Sequence, residues 1–327
     1  MAASEPSATV RAPSLEEIRA ARDRIAPWVL RTPLVRLEAD EPPTEIYLKL
    51  ENLQPIGSFK IRGSGNAVAL ADPTVLAHGV YTASAGNMAQ GLAWHARRLG
   101  IPCTAVVPET APEAKLSAIT RLGADFVKAP FDEWWQVMIE HRYEPLADRL
   151  FVHPFADPNV MAGNGTIGLE IIEDLPDVDV VIVPYGGGGL STGIAAAVKA
   201  LRPEAKVFAS EVATAAPAAG AFEAGATISV DYRPSFVDGI GSRAVFEAIW
   251  PVVTSLLSGS IVVSLQETAE AIRLLAARAR VVAEGAGATS AAAALSGRAG
   301  SGKVAAVISG GNIDASKLAT ILAGGVP

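Results

Sequence analysis

The sequence predicts an α/β fold built on a mainly parallel sheet with helices covering both faces. Short apolar runs rich in β-branched residues recur along the chain. Most are separated by Ala/Leu-rich segments of helical period, and the runs are apolar throughout rather than alternating, as buried parallel strands are. At 327 residues the chain has room for one large or two modest domains with sizeable cores.

The elements follow in order. Residues 1–13 read as a loose tail, and MAASEPSATVRAPS lacks the apolar stretch of a signal peptide. Ser14-Leu15-Glu16-Glu17 is a capping box that opens a helix, with Ile18, Ala21 and Ile25 on one face. Strands are expected at 47–50, 80–83, 104–107, 126–128, 178–183, 207–210 and 304–308, and helices include 87–99 and 268–279. The charge-free stretches 180–198 and 248–266 are long enough to span a membrane. Pro184 with Gly186–Gly189 in the first, and Pro251 with Gly259 in the second, mark both as buried strand–turn–helix segments instead. No membrane association is expected.

Composition narrows the function classes. Hydrophobic residues at 50% against 19% charged exclude disorder as the main state. Lys plus Arg number 27 and Asp plus Glu 34, so the net charge of −7 argues against nucleic acid as a partner. The single Cys103 allows no internal disulfide, suits a reducing, cytoplasmic setting, and reads as a buried small residue. His78, His95, His141 and His153 show no metal spacing and read as structural or surface groups.

Several strands end in a polar or glycine-rich loop before a helix, the edge at which open α/β sheets bind ligands. Lys60 follows Gly57-Ser58-Phe59 at an expected helix start, where N–H dipoles lower an ammonium pKa. A lysine so tuned can form a Schiff base with an aldehyde, although a solvated lysine is the plainer reading of that loop alone. Ser84-Ala85-Gly86-Asn87-Met88-Ala89-Gln90 stands between a strand and a helix and suits a carboxylate; an ordinary helix cap explains it equally. Gly186-Gly187-Gly188-Gly189-Leu190 lets backbone N–H groups fold around a phosphate, and four consecutive glycines carry an entropy cost that a mere turn does not justify. A dinucleotide reading fails on spacing, because the third glycine position falls on Ser191 or Thr192; Glu211 keeps an NAD-dependent oxidoreductase open as an alternative.

An amine, a carboxylate cradle and a phosphate cradle together suit pyridoxal phosphate (PLP) acting on an amino acid. From about Ser14 to Asp314 the sequence resembles the serine/threonine dehydratases and serine racemases, PLP enzymes of the tryptophan-synthase-β-like fold type II. The resemblance rests on KLENLQPIGSFKIRG, TASAGNMAQG, VVPETAPEAKLSAITRLGA, HPFADPNVMAGNGTIGLEI, PYGGGGL, VDGI and Ser309-Gly310-Gly311-Asn312, all in order.

That resemblance implies roles residue by residue. Lys60 would be the Schiff-base lysine that also moves the Cα proton, with Phe59 beside the cofactor ring and Asn87 on its phenolic oxygen. Gly186, Gly187, Gly188, Gly189 and Leu190 would hold the phosphate, Ser309 would face the pyridine nitrogen, and Gly239 and Glu284 would lie near the ring. Ser84, with Ala85, Gly86, Asn87, Met88 and Gln90, would receive the substrate carboxylate. It also implies a homodimer, and two domains: a large one from 1–78 and 158–327, and a small mobile one from 79–157. The implied activity is dehydration and deamination of a β-hydroxy amino acid to a 2-oxo acid and ammonia by a PLP-dependent ammonia-lyase. A non-catalytic amino-acid-binding protein would leave Lys60 idle.

Departures from the family pattern matter as much. Ala85 stands where racemases carry a second serine, which favours elimination over racemisation. Met88 replaces the usual histidine. Glu211 and Ala215 match a cation site, but Pro217 replaces its aspartate, so no metal is expected. The chain stops too soon after Ser309 for the C-terminal regulatory domain of the biosynthetic threonine enzymes. Trp134 and Trp135 diverge by about 100° on a helix, so both cannot face one core. Either one reaches the cleft and favours a bulky aromatic β-substituent, as in a phenylserine dehydratase, or they divide between core and a surface or dimer interface.

Overall fold

Alternating apolar runs and helices resolve into two sheets. The computed structural model describes residues 10–40 and 42–327, so the first nine residues of the expected tail lie outside the described residues. The strands are β1 (Leu34–Arg36), β2 (Glu45–Lys49), β3 (Val80–Ala83), β4 (Cys103–Pro108), β5 (Asp125–Ala129), β6 (Leu150–Phe151), β7 (Val180–Pro184), β8 (Lys206–Val212), β9 (Ser260–Val263) and β10 (Lys303–Val307). Six form one sheet in the order β1-β2-β10-β7-β8-β9, and four form another in the order β5-β4-β3-β6. Every pairing is parallel except β1 against β2. The apolar runs are buried on both faces, as β7 is at all five positions, which is what a doubly covered parallel sheet requires.

The seven expected strands are present, their ends shifted by a few residues. Three further strands have no counterpart in the sequence pattern. β1 and β6 are only three and two residues long, too short to display one. β9 lies in the 248–266 stretch, where the order of elements is the reverse of that expected. Pro251 starts a helix, Trp250–Leu256, and the strand follows it after Gly259 at φ +138°. Proline at a first helical position is a start signal as readily as a stop. The tail is also shorter than expected: Val10 is buried, and its N–H donates to Ala248 O at 3.2 Å.

Local signals set the helices as expected. Ser14 Oγ accepts the Glu17 N–H at 3.2 Å, and the Glu17 carboxylate accepts the Ser14 N–H at 2.8 Å, capping Leu15–Ile25. Ile18, Ala21 and Ile25 on its inner face are fully buried.

The helix Lys60–Ala69 is anchored by a buried ion quartet just below its first residue. Arg62 donates through Nε and Nη2 to both oxygens of Glu51, each at 2.8 Å, and through Nη1 and Nη2 to Glu170 at 2.7 and 2.9 Å. Lys49 Nζ completes the set, 2.6 Å from Glu170. Burial opposes both charges, yet Arg62 is held above its ordinary pKa by the two carboxylates, and Glu51 below its own mainly by Arg62. The ends of β3 in one sheet and of β7 and β10 in the other then deliver the loops at Ser84, Gly186 and Ser309 to the space between the sheets.

Candidate active site

A cleft of about 680 Å³ opens between the two sheets. Of the residues the sequence points to, Gly188 alone does not line it; Lys60, Ser84, Asn87, Glu284, Ser309 and the others all do. Segments far apart in the chain thus meet in one place.

Lys60 opens its helix with its side chain in this cleft. Nζ donates to Pro154 O at 2.5 Å and lies 5.2 Å from the Phe59 ring centroid, with no carboxylate paired to it among the described residues. Burial pushes the ammonium down to about 8. The direction matches the sequence reading, and burial drives it.

The turn that presents Pro154 is tied by His153. Its Nδ1 accepts the N–H groups of Phe155 at 3.1 Å and Ala156 at 2.8 Å. Burial, followed by the nearby charges of His141 and Lys60, holds His153 neutral at ordinary pH. No spacing in the sequence marks His153, Pro154 or Phe155 as neighbours of Lys60.

Across the cleft, Ser84 Oγ accepts the Gly86 N–H at 3.2 Å, and nothing crowds the position where Gly86 would carry a Cβ. The helix Asn87–Leu99 starts directly after, so its first N–H groups lack helical partners. Asn87 Nδ2 donates to Glu284 Oε1 at 2.9 Å, and Asn87 Oδ1 accepts from Asn312 Nδ2 at 2.8 Å. Burial, and secondarily Asp238, pushes the Glu284 carboxyl up to about 7. Met88 turns its side chain into the core around the four-stranded sheet. Ser309 is buried, and its carbonyl accepts the Phe59 N–H at 3.0 Å, joining the end of β10 to the lysine loop.

The tetraglycine loop fits a phosphate. A Cβ on Gly187 would sit 2.2 Å from the Phe155 ring, and one on Gly189 would sit 2.3 Å from Phe155 O. Gly188 has φ +90°, which favours glycine. The helix Gly189–Leu201 begins there, and its Ser191 and Thr192 hydroxyls both turn back to Gly188 O, leaving the first-turn N–H groups unclaimed. Tyr185 Oη, buried and without a partner among the described residues, lies against Gly188. An uncompensated lysine and a free helix start, both at the cleft, are together what PLP would complete.

Glu211, matched by the sequence to a cation site, is occupied otherwise. Its oxygens accept the N–H groups of Ala218 and Ala219, both at 2.8 Å, and the Ser260 hydroxyl at 2.6 Å, so it caps the helix that Pro217 begins. EDTA is therefore expected to leave activity and Tm unchanged, while Glu211→Ala lowers Tm. A loss with EDTA that magnesium or calcium restores would place a cation elsewhere.

Residues 25–310 match the family described as pyridoxal-phosphate dependent enzyme. The chain is 42% identical to the L-threonine ammonia-lyase of Thermotoga maritima over 306 residues, covering 92% of this chain and 76% of that protein. Among solved structures it is similar to maize serine racemase, with a TM-score of 0.86 and 31% identity over 96% and 98% of the two chains. It is also similar to the processed form of threonine deaminase isoform 2 from Solanum lycopersicum, with a TM-score of 0.85 and 31% identity over 99% and 94%. These likenesses set aside the dinucleotide alternative and agree with the tryptophan-synthase-β-like fold expected from the sequence. On the match across 25–310 and on relatives of this identity, the chain belongs to the pyridoxal-phosphate dependent enzymes, in the serine/threonine dehydratase and serine racemase family.

Proposed function

We propose that the protein is a PLP-dependent ammonia-lyase that converts a β-hydroxy α-amino acid of the threonine/serine type to a 2-oxo acid and ammonia. The observation that carries this reading is the Lys60 ammonium, buried in a cleft without a counter-charge and facing a free glycine cradle. Relatives named for threonine deamination support it at about 40% identity.

Lys60, Phe59, Asn87, Glu284, Gly239 and Ser309 would hold the PLP ring, and Gly186 to Leu190 its phosphate. When bound, PLP supplies an aldehyde for a covalent bond and a ring that withdraws electrons from the substrate Cα. Ser84 Oγ and the free N–H groups at the start of the Asn87–Leu99 helix would bind the substrate carboxylate. Lys60 Nζ, with its proton affinity lowered toward neutrality, takes the Cα proton. Ser309 would offer the ring nitrogen only a neutral hydroxyl, which carries no full charge. Residues 79–157 form the small domain of this reading and close the cleft by moving. The Asn87–Glu284 bond and the Lys115–Asp238 pair, at 3.3 Å, span that closure.

A homodimer in the cytoplasm belongs to the same reading. The single cysteine of the sequence is what points to a reducing compartment; no helix among the described residues is long and apolar enough to cross a membrane.

The test is release of 2-oxo acid and ammonia by the PLP-loaded protein from a panel of β-hydroxy amino acids. Elimination is expected to outrun racemisation, because Ala85 has no proton to exchange on the face opposite Lys60. Chiral chromatography of residual L-serine measures this. D-serine forming as fast as pyruvate would assign that face to another group.

A further inference from the structure

Four aromatic rings line the cleft in a chain that a substrate as small as serine does not need. Phe131 and Trp135 come from the helix Phe131–Glu140, beside the four-stranded sheet. Phe246 comes from the opposite wall, just before the helix Trp250–Leu256. The Phe131 and Trp135 rings are stacked with centroids 6.5 Å apart, and Trp135 meets Phe246 edge-on at 6.3 Å. Phe246 meets Phe155 edge-on at 5.5 Å. Phe155 lies against Gly187 and directly follows Pro154, whose carbonyl holds Lys60 Nζ. The rings therefore run unbroken from Phe131, which is 59% exposed at the mouth, to the reacting lysine.

Trp134 packs against the core beside β3 and β4 while also lining the cleft, and Trp135 lines the cleft as well, as the first of the two sequence alternatives has it for one of them. The Trp134 Nε1–H is buried with no acceptor among the described residues. Two of the cations at the cleft are already paired. Lys115 and Lys317 both pair with Asp238, at 3.3 and 3.5 Å, and Lys317 also pairs with Asp314. Arg121, exposed at the end of its helix, also lines the cleft and has no ion pair among the described residues, so it is the cation an acidic substituent would meet.

We infer that the cleft selects β-hydroxy α-amino acids whose β-carbon carries an aromatic ring, seated against Trp135, Phe246 and Phe155. This rests on the dehydratase reading above. The chemistry keeps its balance: the Cα proton and the β-hydroxyl leave as water, and a second water then releases the nitrogen as ammonia. The product is an aryl 2-oxo acid, and no oxidant is consumed.

The experiment compares kcat/KM of the PLP-loaded enzyme for 3-phenylserine, threonine and 3-hydroxyaspartate, in wild type and in Trp135→Ala. Phenylserine is expected to be preferred, and its ratio to threonine to fall at least about tenfold in the variant. Circular dichroism and the absorbance of bound PLP certify that the variant is folded and loaded. Trp135→Leu serves if the alanine variant fails to fold. L-phenylalanine, which has no β-hydroxyl to lose, is titrated in parallel by intrinsic fluorescence, and its affinity is expected to drop with the same substitution. A preference for threonine untouched by the substitution would overturn the inference, and a preference for 3-hydroxyaspartate would do the same in favour of Arg121. If no substrate yields a 2-oxo acid, the dehydratase reading fails, while phenylalanine binding still judges the aromatic wall.

Discussion

Lys60→Ala is expected to lower 2-oxo-acid release by at least about 10³-fold while the protein still folds, because it removes the side chain placed to take the Cα proton. Folding survives because Lys60 Nζ makes one hydrogen bond, to Pro154 O, and leaves no buried partner charge behind. The measurement is single-turnover and steady-state product release, with circular dichroism as the fold control. The lysine's lowered pKa adds a second readout. An amine is nucleophilic only when unprotonated, so uptake of PLP by the apoprotein should rise with pH through a midpoint near 8, not near the ordinary lysine value. Substantial turnover by the alanine variant, or a midpoint near that of free lysine, would remove Lys60 from its assigned role.

Gly189→Ala is the second large effect. Its Cβ would stand 2.3 Å from a backbone oxygen, Phe155 O, and 2.8 Å from Phe155 Cα, so the turn that positions Pro154 must move. Overpacking of this kind costs roughly 1–3 kcal/mol. PLP affinity, measured by fluorescence titration of the apoprotein, is expected to fall about 100-fold, and Tm to fall with it. Gly187→Ala should be milder, since its obstacle is the Phe155 ring, which can rotate away. Equal effects of the two substitutions would mean that the loop, rather than the Phe155 turn, sets the phosphate cradle.

Features written in adjacent residues are legible without the structure. The Ser14–Glu17 capping box, the helix 87–99 and the strand ending at the tetraglycine loop each carry their own signal in a few neighbouring positions. The lysine, serine and glycine loops are legible as separate cradles, and their order along the chain suggests one site. What is not legible depends on contacts between distant segments. His153 looks like one of four scattered histidines, because its function is to hold two N–H groups of a turn whose importance comes only from Lys60 on another element. Phe246 carries no signal, since its meaning lies in the ring it faces across the cleft. The stretch 248–266 reads in the wrong order because an apolar run without charges has no period to tell helix from strand. Glu211 resembles a cation ligand in sequence, and only the positions of Ala218 and Ala219 reveal a cap.

The Lys49–Glu51–Arg62–Glu170 quartet constrains how this chain can change over generations. Removing one member leaves an uncompensated charge among residues with almost no solvent access, a loss of roughly 3–5 kcal/mol. Total stabilities are only about 5–15 kcal/mol, so most single exchanges there would consume the margin. The four positions, drawn from three separate segments, are thus expected to change together or not at all. A descendant can abandon the quartet only by a concerted swap to well-packed apolar residues. Drift should therefore accumulate around the segment bearing Lys60 while its foundation stays fixed.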